Sequence, residues 1–299
     1  MLLHAHHTGN ISFLSFLSEV LLESFLDTLK LIPFLFLTYL VMELIEHKAS
    51  DKTLSLVKKT GKLGPLAGGA LGAVPQCAFS AVAANLYTGR VVTAGTLIAV
   101  FLSTSDEMLP IMIAGGANIK NLLPILLYKV CVAIVMGFTV DLLLHLFSHE
   151  KREINIDEIC ENDNCHCERG IFYSALHHTV TISIFIFAVT LLVNSLIFFI
   201  GTDRLYELGE ASFGLSHLIF AFLGMIPGCA TSVAISTLGL NGIISVGAML
   251  AGLFPNAGAG LIILWRFNKS KKENLLIMLT LAVIGFVFGI GADLIGLSL

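Results

Sequence analysis

The sequence has few charged residues and lacks the motifs that bind nucleotides. Only 13% of its 299 residues are charged, against ~25% in typical soluble domains, whereas 56% are hydrophobic. These values exclude a soluble enzyme of this length and predict a polytopic, all-helical membrane protein. No phosphate-binding loop of the Walker type occurs, so ATP-driven transport would need a partner subunit. The first residues contain no Lys or Arg, which argues against a cleavable signal peptide.

The cysteines do not form the pattern of a disulfide framework. Three lie in apolar segments and three share one polar loop, where His166 stands among them: Cys77, Cys131 and Cys229, then Cys160, Cys165 and Cys167. The loop has metal-ligand residue types but lacks the paired CxxC spacing of structural zinc sites. A cytoplasmic metal site at Cys160, Cys165, His166 and Cys167 is one interpretation, and a reduced, solvated loop is the other.

One stretch of the chain occurs twice, and the second copy lies 152 residues after the first. The first copy reads GAVPQCAFSAVAANL and the second GMIPGCATSVAISTL, with no gap between the aligned residues. The matched pairs are Gly72 with Gly224, Pro75 with Pro227, Cys77 with Cys229, Ser80 with Ser232, Gly95 with Gly247, Gly137 with Gly289, and Asp141 with Asp293. This agreement indicates an internal duplication.

Both copies place a proline in the middle of an apolar segment. Pro75 and Pro227 remove a helical hydrogen bond and leave backbone carbonyl groups without partners. Irregular backbone inside a membrane is tolerated where it is buried in protein or lines a cavity. Paired interruptions in two halves are the strongest sequence indication of a transporter's binding site.

The polar and basic segments divide the chain into two halves. We predict a first repeat over 1–147, a connecting loop with Cys and His over 148–172, and a second repeat over 173–299. The loop at 46–62 has five Lys, but its counterpart at 198–214 has a single basic residue. The bias is reversed at the next pair of loops, where 266–272 is the basic one. By the positive-inside rule, the halves are therefore inverted relative to each other, and both termini lie outside.

Inversion requires an odd number of membrane crossings in each half. The segments 21–44 and 122–146 supply two, so residues 63–114 must cross an odd number of times. They do so either as three short spans or as one span and a re-entrant hairpin. The alternative is a parallel repeat, in which residues 63–114 cross twice, but it does not explain the reversed charge bias.

The PQC and PGC breaks, the STSDE run, the FPNAG run and the two inverted halves resemble those of the ten-span heavy-metal exporters. That family is related in name to arsenical permeases, and its members are sometimes labelled manganese transporters. The resemblance covers nearly the whole chain. It implies about ten transmembrane helices in two inverted five-helix repeats with broken or re-entrant helices.

Asp106 and Glu107 are the strongest candidates for binding an ion. An Asp inside a membrane segment costs ~2.5–3.5 kcal/mol on insertion scales and normally faces a cavity or a partner. The preceding hydroxyls of Ser103, Thr104 and Ser105 extend this cluster, which could bind a cation or relay protons. The alternative is that both acids lie at the membrane surface or cap a helix.

The second repeat carries a different set of polar groups at the matched positions. Asp106 and Glu107 correspond to Gly258 and Ala259, and Asn256 is the nearest polar side chain. One asymmetric acidic site therefore fits the sequence better than a symmetric metal cage.

The residues that follow each proline complete the predicted site. The Cys thiolates suit soft metals and trivalent arsenic, although a lone membrane Cys is usually a packing residue. We predict substrate binding by Gln76, Cys77, Ser80, Ser103, Ser105, Asp106, Glu107, Cys229, Ser232 and Asn256, with Asp106, Glu107, Cys77 and Cys229 as metal ligands. Asp141 and Asp293 are interpreted as structural anchors, with proton coupling as the alternative.

Together these features predict a secondary transporter that exports a metal or metalloid ion, either a divalent cation such as manganese or an arsenical. An organic or inorganic anion carrier is the alternative. Two further classes are an intramembrane enzyme and a metal sensor, but His217 alone could serve Cys77 as a base, which argues against the enzyme. The expected location is a prokaryotic inner membrane. The expected partners are the lipid bilayer, the transported ion and a second copy in a homo-oligomer, without nucleic acid or a resident cofactor.

Overall fold

All regular secondary structure in the described part of the chain is helical. The computed structural model describes residues 63–74, 78–104, 108–147, 171–200 and 214–299, together with scattered helical positions between 21 and 40. These ranges contain eleven helices. In chain order they are α1 Gly64–Gly72, α2 Ala78–Thr88, α3 Ala94–Ser103, α4 Met108–Ala114, α5 Ile119–Phe147, α6 Ile171–Ile200, α7 Leu215–Leu223, α8 Cys229–Leu240, α9 Val246–Leu253, α10 Ala259–Phe267 and α11 Lys271–Ile295.

Three of these segments are long and apolar enough to cross a membrane, counting only described residues. They are Ala94–Ala114, which combines α3 and α4, Ile119–Leu146 in α5, and Lys271–Ile295 in α11. Each has at least the ~20 residues that one crossing needs. Large apolar side chains on α5 and α11 are exposed, among them Leu127 and Val135 on α5 and Val283 and Val287 on α11. This exposure is expected of surfaces that face lipid.

The helices end near the positions that the prolines and polar runs predict. In the first half, α1 ends at Gly72 and α3 at Ser103. In the second half, α7 ends at Leu223 and α9 at Leu253, shortly before Pro227 and Pro255 respectively. Each half therefore has two apolar segments that are broken near their middle.

The offset of 152 residues also relates the helix caps. The hydroxyl of Thr93 accepts a hydrogen bond from the backbone N–H of Thr96 at 3.1 Å and begins α3. The hydroxyl of Ser245 accepts one from Ala248 at 3.0 Å and begins α9 in the same way. Hydroxyl caps of this kind satisfy backbone donors that have no partner within the helix.

Within each half, three helices pack through small residues. In the first half α3 lies between α1 and α5, and in the second half α9 packs against α7 and α11. A Cβ atom at Gly137 would lie 2.7 Å from the carbonyl oxygen of Gly95, and one at Gly289 would lie 2.7 Å from that of Gly247. The backbones of α3 and α5, and of α9 and α11, therefore approach so closely that only glycine fits, as in small-residue packing in membranes.

The same contacts give the directions of the helices in the first half. Gly64 lies against Thr96 and Gly72 against Ser103, so α1 and α3 run in the same direction. By contrast, Gly137, late in α5, lies against Gly95, early in α3, whereas Lys129, earlier in α5, contacts Thr104 at the end of α3. Helix α5 therefore runs opposite to α3.

The remaining helices connect the two halves in a reciprocal manner. Helix α2 of the first half packs against α10 of the second, and α8 of the second half packs against α4 of the first. Gly260 at the start of α10 lies against the backbone of Ser80 at the start of α2. Leu240 at the end of α8 lies against Gly115, just after α4. Helix α6 packs against α8 and α10.

Candidate functional site

The breaks of the two halves meet where α2 contacts α10. A Cβ atom at Gly260 would lie 2.7 Å from the carbonyl oxygen of Ser80 and 2.7 Å from the ring of Phe101. Ser80 is completely buried and lies in the first turn of α2. Two predicted site residues, Ser80 and Asn256, are thus on segments that meet, because Asn256 lies four residues before Gly260.

Asn256 is a buried amide in the break between α9 and α10. Its Oδ1 accepts a hydrogen bond from the backbone N–H of Gly258 at 3.1 Å. Its Nδ2 is buried and has no hydrogen-bond partner among the described residues. The hydroxyl of Thr231, in the first turn of α8, is likewise buried without a partner in the described part of the chain. Such groups are costly unless something binds them, so they are candidates for contact with a solute.

Ser103 and Thr104 form the end of α3, and both hydroxyls point back to the helix. The Ser103 hydroxyl donates to the carbonyl oxygens of Ala99 at 2.8 Å and Val100 at 3.1 Å. The Thr104 hydroxyl donates to Val100 at 2.7 Å. The backbone leaves the helix at Thr104, where φ is −54° and ψ is 125°.

A lysine from the neighbouring helix reaches this helix end. Lys129 lies near the middle of α5 and is 0% exposed. Its Nζ donates a hydrogen bond to the carbonyl oxygen of Thr104. An ionisable side chain this deep in a membrane-spanning helix is, by default, a candidate functional residue.

Asp141 and Asp293 bind the starts of the neighbouring helices with the same geometry. Asp141 accepts hydrogen bonds from the backbone N–H of Gly95 at 2.8 Å and the hydroxyl of Thr93 at 2.6 Å. Asp293 accepts them from Gly247 at 2.6 Å and from Ser245 at 2.5 Å. A carboxylate at a helix N-terminus accepts hydrogen bonds from the unpaired backbone N–H groups of that helix and stabilises the positive end of the helix dipole. This geometry accounts for both aspartates as anchors between helices.

The second anchor has one additional partner. His217, at the start of α7, is completely buried, and its Nε2 lies 3.0 Å from Oδ2 of Asp293. The matched position in the first half is Pro65. The histidine that the sequence offered as a base for Cys77 is therefore held by an aspartate at the far end of α11.

We expect Asp141→Asn and Asp293→Asn to reduce stability and to leave flux per folded molecule within about twofold. Hydrogen bonds to a charged acceptor contribute ~1.5–3 kcal/mol, and an amide retains only part of them. Thermal unfolding in detergent should show lower midpoints for both variants. Normal stability with lost flux in either variant would instead support a role in proton coupling.

A cluster of three residues joins the halves at one end of the molecule. The Tyr87 hydroxyl donates to Oε1 of Glu273, and Nη1 of Arg90 lies 3.2 Å from the same oxygen. Glu273 is in the first turn of α11, whose start is capped by the Ser270 hydroxyl. This cluster therefore ties the end of α2 to the start of α11.

Several predicted site residues lie outside the described part of the chain. They are Gln76, Cys77, Ser105, Asp106 and Glu107, together with the loop residues Cys160, Cys165, His166 and Cys167. The backbone of Cys229 is described as the first residue of α8, but its side chain is not. Ser232 is buried in the first turn of α8. Among the described residues, no group of three or more His, Cys, Asp or Glu side chains could hold a metal ion.

Sequence reasoning missed Lys129 and the cluster of Tyr87, Arg90 and Glu273. The sequence predicts the segment 122–146 only as a membrane crossing. A signal for Lys129 was nevertheless present, because it is the single Lys or Arg in that span. No signal in the sequence indicated that Glu273 would meet residues 186 and 183 positions earlier.

The fold and these buried polar groups define a class of protein, a helical integral membrane protein with broken helices. A family model matches residues 16–179, more than half of the chain, and its description reads "Putative, 10TM heavy-metal exporter". The chain belongs to this family, which confirms the resemblance and the class of transporter rather than enzyme. No curated protein and no solved structure matches the chain.

Proposed function

We propose that the protein is a secondary transporter that exports a divalent cation such as manganese, or an arsenical, from a site between its broken helices. The observation that carries this proposal is the reciprocal packing of half-helices between the halves, α2 on α10 and α4 on α8. In transporters with broken helices, substrates bind near the bilayer midplane at the interface between the repeats. Family membership supports metal export as the activity.

The helix directions support a re-entrant hairpin in the first half. Helices α1 and α3 run together, and α2 leads from the end of the first to the start of the second. We infer that α1 enters the membrane and α2 returns to the same side, and that the span Ala94–Ala114 then crosses. Together with the crossings by α5 and by residues 21–44, the first half then has three crossings and one hairpin with two arms. This makes five apolar segments per half of the protein.

The cluster at Glu273 supports inverted halves. Tyr87 and Arg90 lie next to the loop that precedes α3, so they are on the same side as Asp141. Glu273 meets them there, while Asp293 lies ~30 Å further along α11. The two matched aspartates thus lie at opposite faces of the molecule. The hydrogen bond from the Tyr128 hydroxyl to the carbonyl of Phe288, at 2.7 Å, fits the same arrangement.

Basic residues give the orientation of this inverted arrangement. Arg90, Arg266, Lys269, Lys271 and Lys272 all lie near the Glu273 end, which is therefore cytoplasmic by the positive-inside rule. Both termini are then outside.

We expect residues 204 and 269 to be labelled from opposite sides of the membrane. Each substitution is made in a background without the native cysteines. Arg204→Cys should react with an impermeant thiol reagent added to intact cells. Lys269→Cys should react only after the cells are permeabilised. The native-cysteine-free protein without either substitution is the control. Labelling of both positions from the same side would contradict inversion.

We propose that the cation binds carboxylate oxygens of Asp106 and Glu107, hydroxyl groups of Ser105 and its neighbours, and backbone carbonyls freed at the breaks. Oxygen ligands suit manganese, whereas the thiols of Cys77 and Cys229 would suit a softer ion. Gln76, Ser80, Ser103, Ser232 and Asn256 complete the proposed lining. The acids occur in the first half only, so the site is asymmetric.

Anion transport remains the second candidate because of a specific arrangement of helix ends. Helices α2 and α10 start together at the breaks, and helix N-termini attract anions. The buried amide of Asn256 could donate a hydrogen bond to such a solute. In this alternative the substrate is an oxyanion or an organic anion.

The experiment that tests the proposal is a flux panel in proteoliposomes. Purified protein is assayed with manganese(II), zinc(II), arsenite, phosphate and an organic dicarboxylate, under imposed pH and potential gradients. Saturable flux of a metal or metalloid species, absent from protein-free liposomes, is the expected result. Flux of the anions alone would support the second candidate and contradict the first.

A further inference from the structure

Lys129 is buried in α5 and binds a type of group that coordinates cations in broken-helix transporters. It lies ~18 Å along α5 from Asp141, which is more than half of a hydrocarbon core of ~30 Å. Its ammonium group binds the carbonyl oxygen of Thr104, the first residue after α3. Unwound carbonyls at the C-terminal end of a half-helix are the groups that coordinate sodium ions in such transporters.

The chemistry at this helix end favours a positive charge. The last carbonyl groups of a helix lack intrahelical donors and form the negative end of its dipole. Ser103 and Thr104 turn their hydroxyl hydrogens to the carbonyls of the preceding turn, at Ala99 and Val100. Neither hydroxyl therefore competes with the lysine for the carbonyl of Thr104.

The arrangement occurs in only one half of the molecule. The position matched to Lys129 is Leu281, which is also completely buried. The same half carries Asp106 and Glu107, two and three residues after Thr104. Chain connectivity alone keeps the Cα of Asp106 within about 7 Å of the Cα of Thr104. A buried ammonium group requires compensating charge, and these are the acids closest in sequence to Thr104, which the ammonium group contacts.

We propose that Lys129 is a tethered cation that fills a monovalent-cation position in the unloaded transporter and balances the acids of the transport site. The proposal deepens the proposed transport function and rests on it for the role of the acids. When a transported cation takes the oxygens of the site, the ammonium group gives up its contact with Thr104. Lys129 is thus a positioning residue, and it removes the need for a soluble sodium or potassium ion.

A binding experiment tests the cation position without any transport assay. In Lys129→Ala the missing side chain leaves space for a small alkylammonium ion. Propylammonium chloride should raise the thermal unfolding midpoint of this variant by on the order of 2–4 °C and leave the wild type unchanged. Potassium chloride and 1-propanol at the same concentration are the controls for ionic strength and for an uncharged ligand. Equal shifts in both proteins, no shift in the variant, or an equal shift with 1-propanol would overturn the proposal.

A second variant separates the charge from the hydrogen bond. Lys129→Gln removes the charge but keeps a hydrogen-bond donor, one bond shorter than that of lysine, so this variant is expected to fold even if Lys129→Ala does not. In proteoliposomes we expect its flux of manganese(II) to fall at least about tenfold, whereas Lys129→Arg keeps more than half of it. Lys120→Gln, at an exposed position on the same helix, should behave as the wild type. Normal flux in Lys129→Gln would assign Lys129 a merely structural role and overturn the proposal.

The two proposals fail in distinguishable ways. If the wild-type protein transports none of the tested metals, the proposed function is contradicted. The propylammonium experiment still tests the cation position in that case. Metal flux in the wild type without any propylammonium effect in Lys129→Ala contradicts only the tethered cation.

Discussion

Asp106→Asn is expected to abolish metal transport, because it removes a charge from the proposed site and leaves its shape nearly unchanged. An acid inside a membrane segment costs ~2.5–3.5 kcal/mol to insert and is retained where it has a partner or a function. The neighbouring carbonyl end of α3 is already bound by Lys129. Without Asp106, the positive charge of the lysine would oppose a divalent cation with less compensation. Flux of manganese(II) in proteoliposomes is the measurement.

The control for this prediction is a graded series at the two acids. Glu107→Gln should reduce flux, and the double variant Asp106→Asn with Glu107→Gln should have none. Each variant must unfold at a normal temperature for its flux to be compared. Full transport by the double variant would rule out the cation site and leave the anion carrier as the better interpretation.

The cysteines distinguish the two kinds of cargo within the same assay. A hard ion that needs only oxygen ligands should depend far more on Asp106 than on Cys77. A soft ion or trivalent arsenic should show the reverse order. Cys77→Ser and Cys229→Ser therefore serve as a matched pair, at positions that lie 152 residues apart in the two similar stretches of sequence.

The second large effect is expected at Gly260, where the breaks of the two halves meet. Even the Cβ of alanine would lie 2.7 Å from the carbonyl oxygen of Ser80, which is backbone and cannot move aside cheaply. Overpacking of this kind costs ~1–3 kcal/mol, and the larger side chain of valine costs more. We expect Gly260→Ala to lower the unfolding midpoint and to reduce flux, and Gly260→Val to prevent stable assembly of the halves.

Gly291→Ala is the matched control for this series. The nearest atom to its Cβ would be the Tyr128 hydroxyl at 3.0 Å, which is the end of a side chain that can shift. Stability and flux should therefore stay close to the wild type. Unfolding data in detergent and flux data together decide the comparison. A wild-type phenotype for Gly260→Val would show that α2 and α10 do not meet as the structure describes.

Much of the local architecture could be read from the residues. The apolar composition indicates a membrane protein, because so few charges cannot cover a soluble surface. Pro227 and the polar run after Leu102 indicate breaks, since each disrupts an apolar helix near its middle. The matched Gly95 and Gly247, with Asp141 and Asp293, recur because duplicated helices need the same close contacts and the same caps.

Tertiary structure alone decided which broken helices meet and which buried charges they enclose. The contact of Gly260 with Ser80 joins residues 180 positions apart, and no periodicity in either segment encodes such a pairing. In the sequence, Lys129 is a single polar interruption of an apolar span. Only the packing of α5 against α3 places it at the end of α3. Local sequence determines where a helix must stop, because proline and glycine act on their own backbone. Which helix end receives a partner depends on the packing of all the helices together.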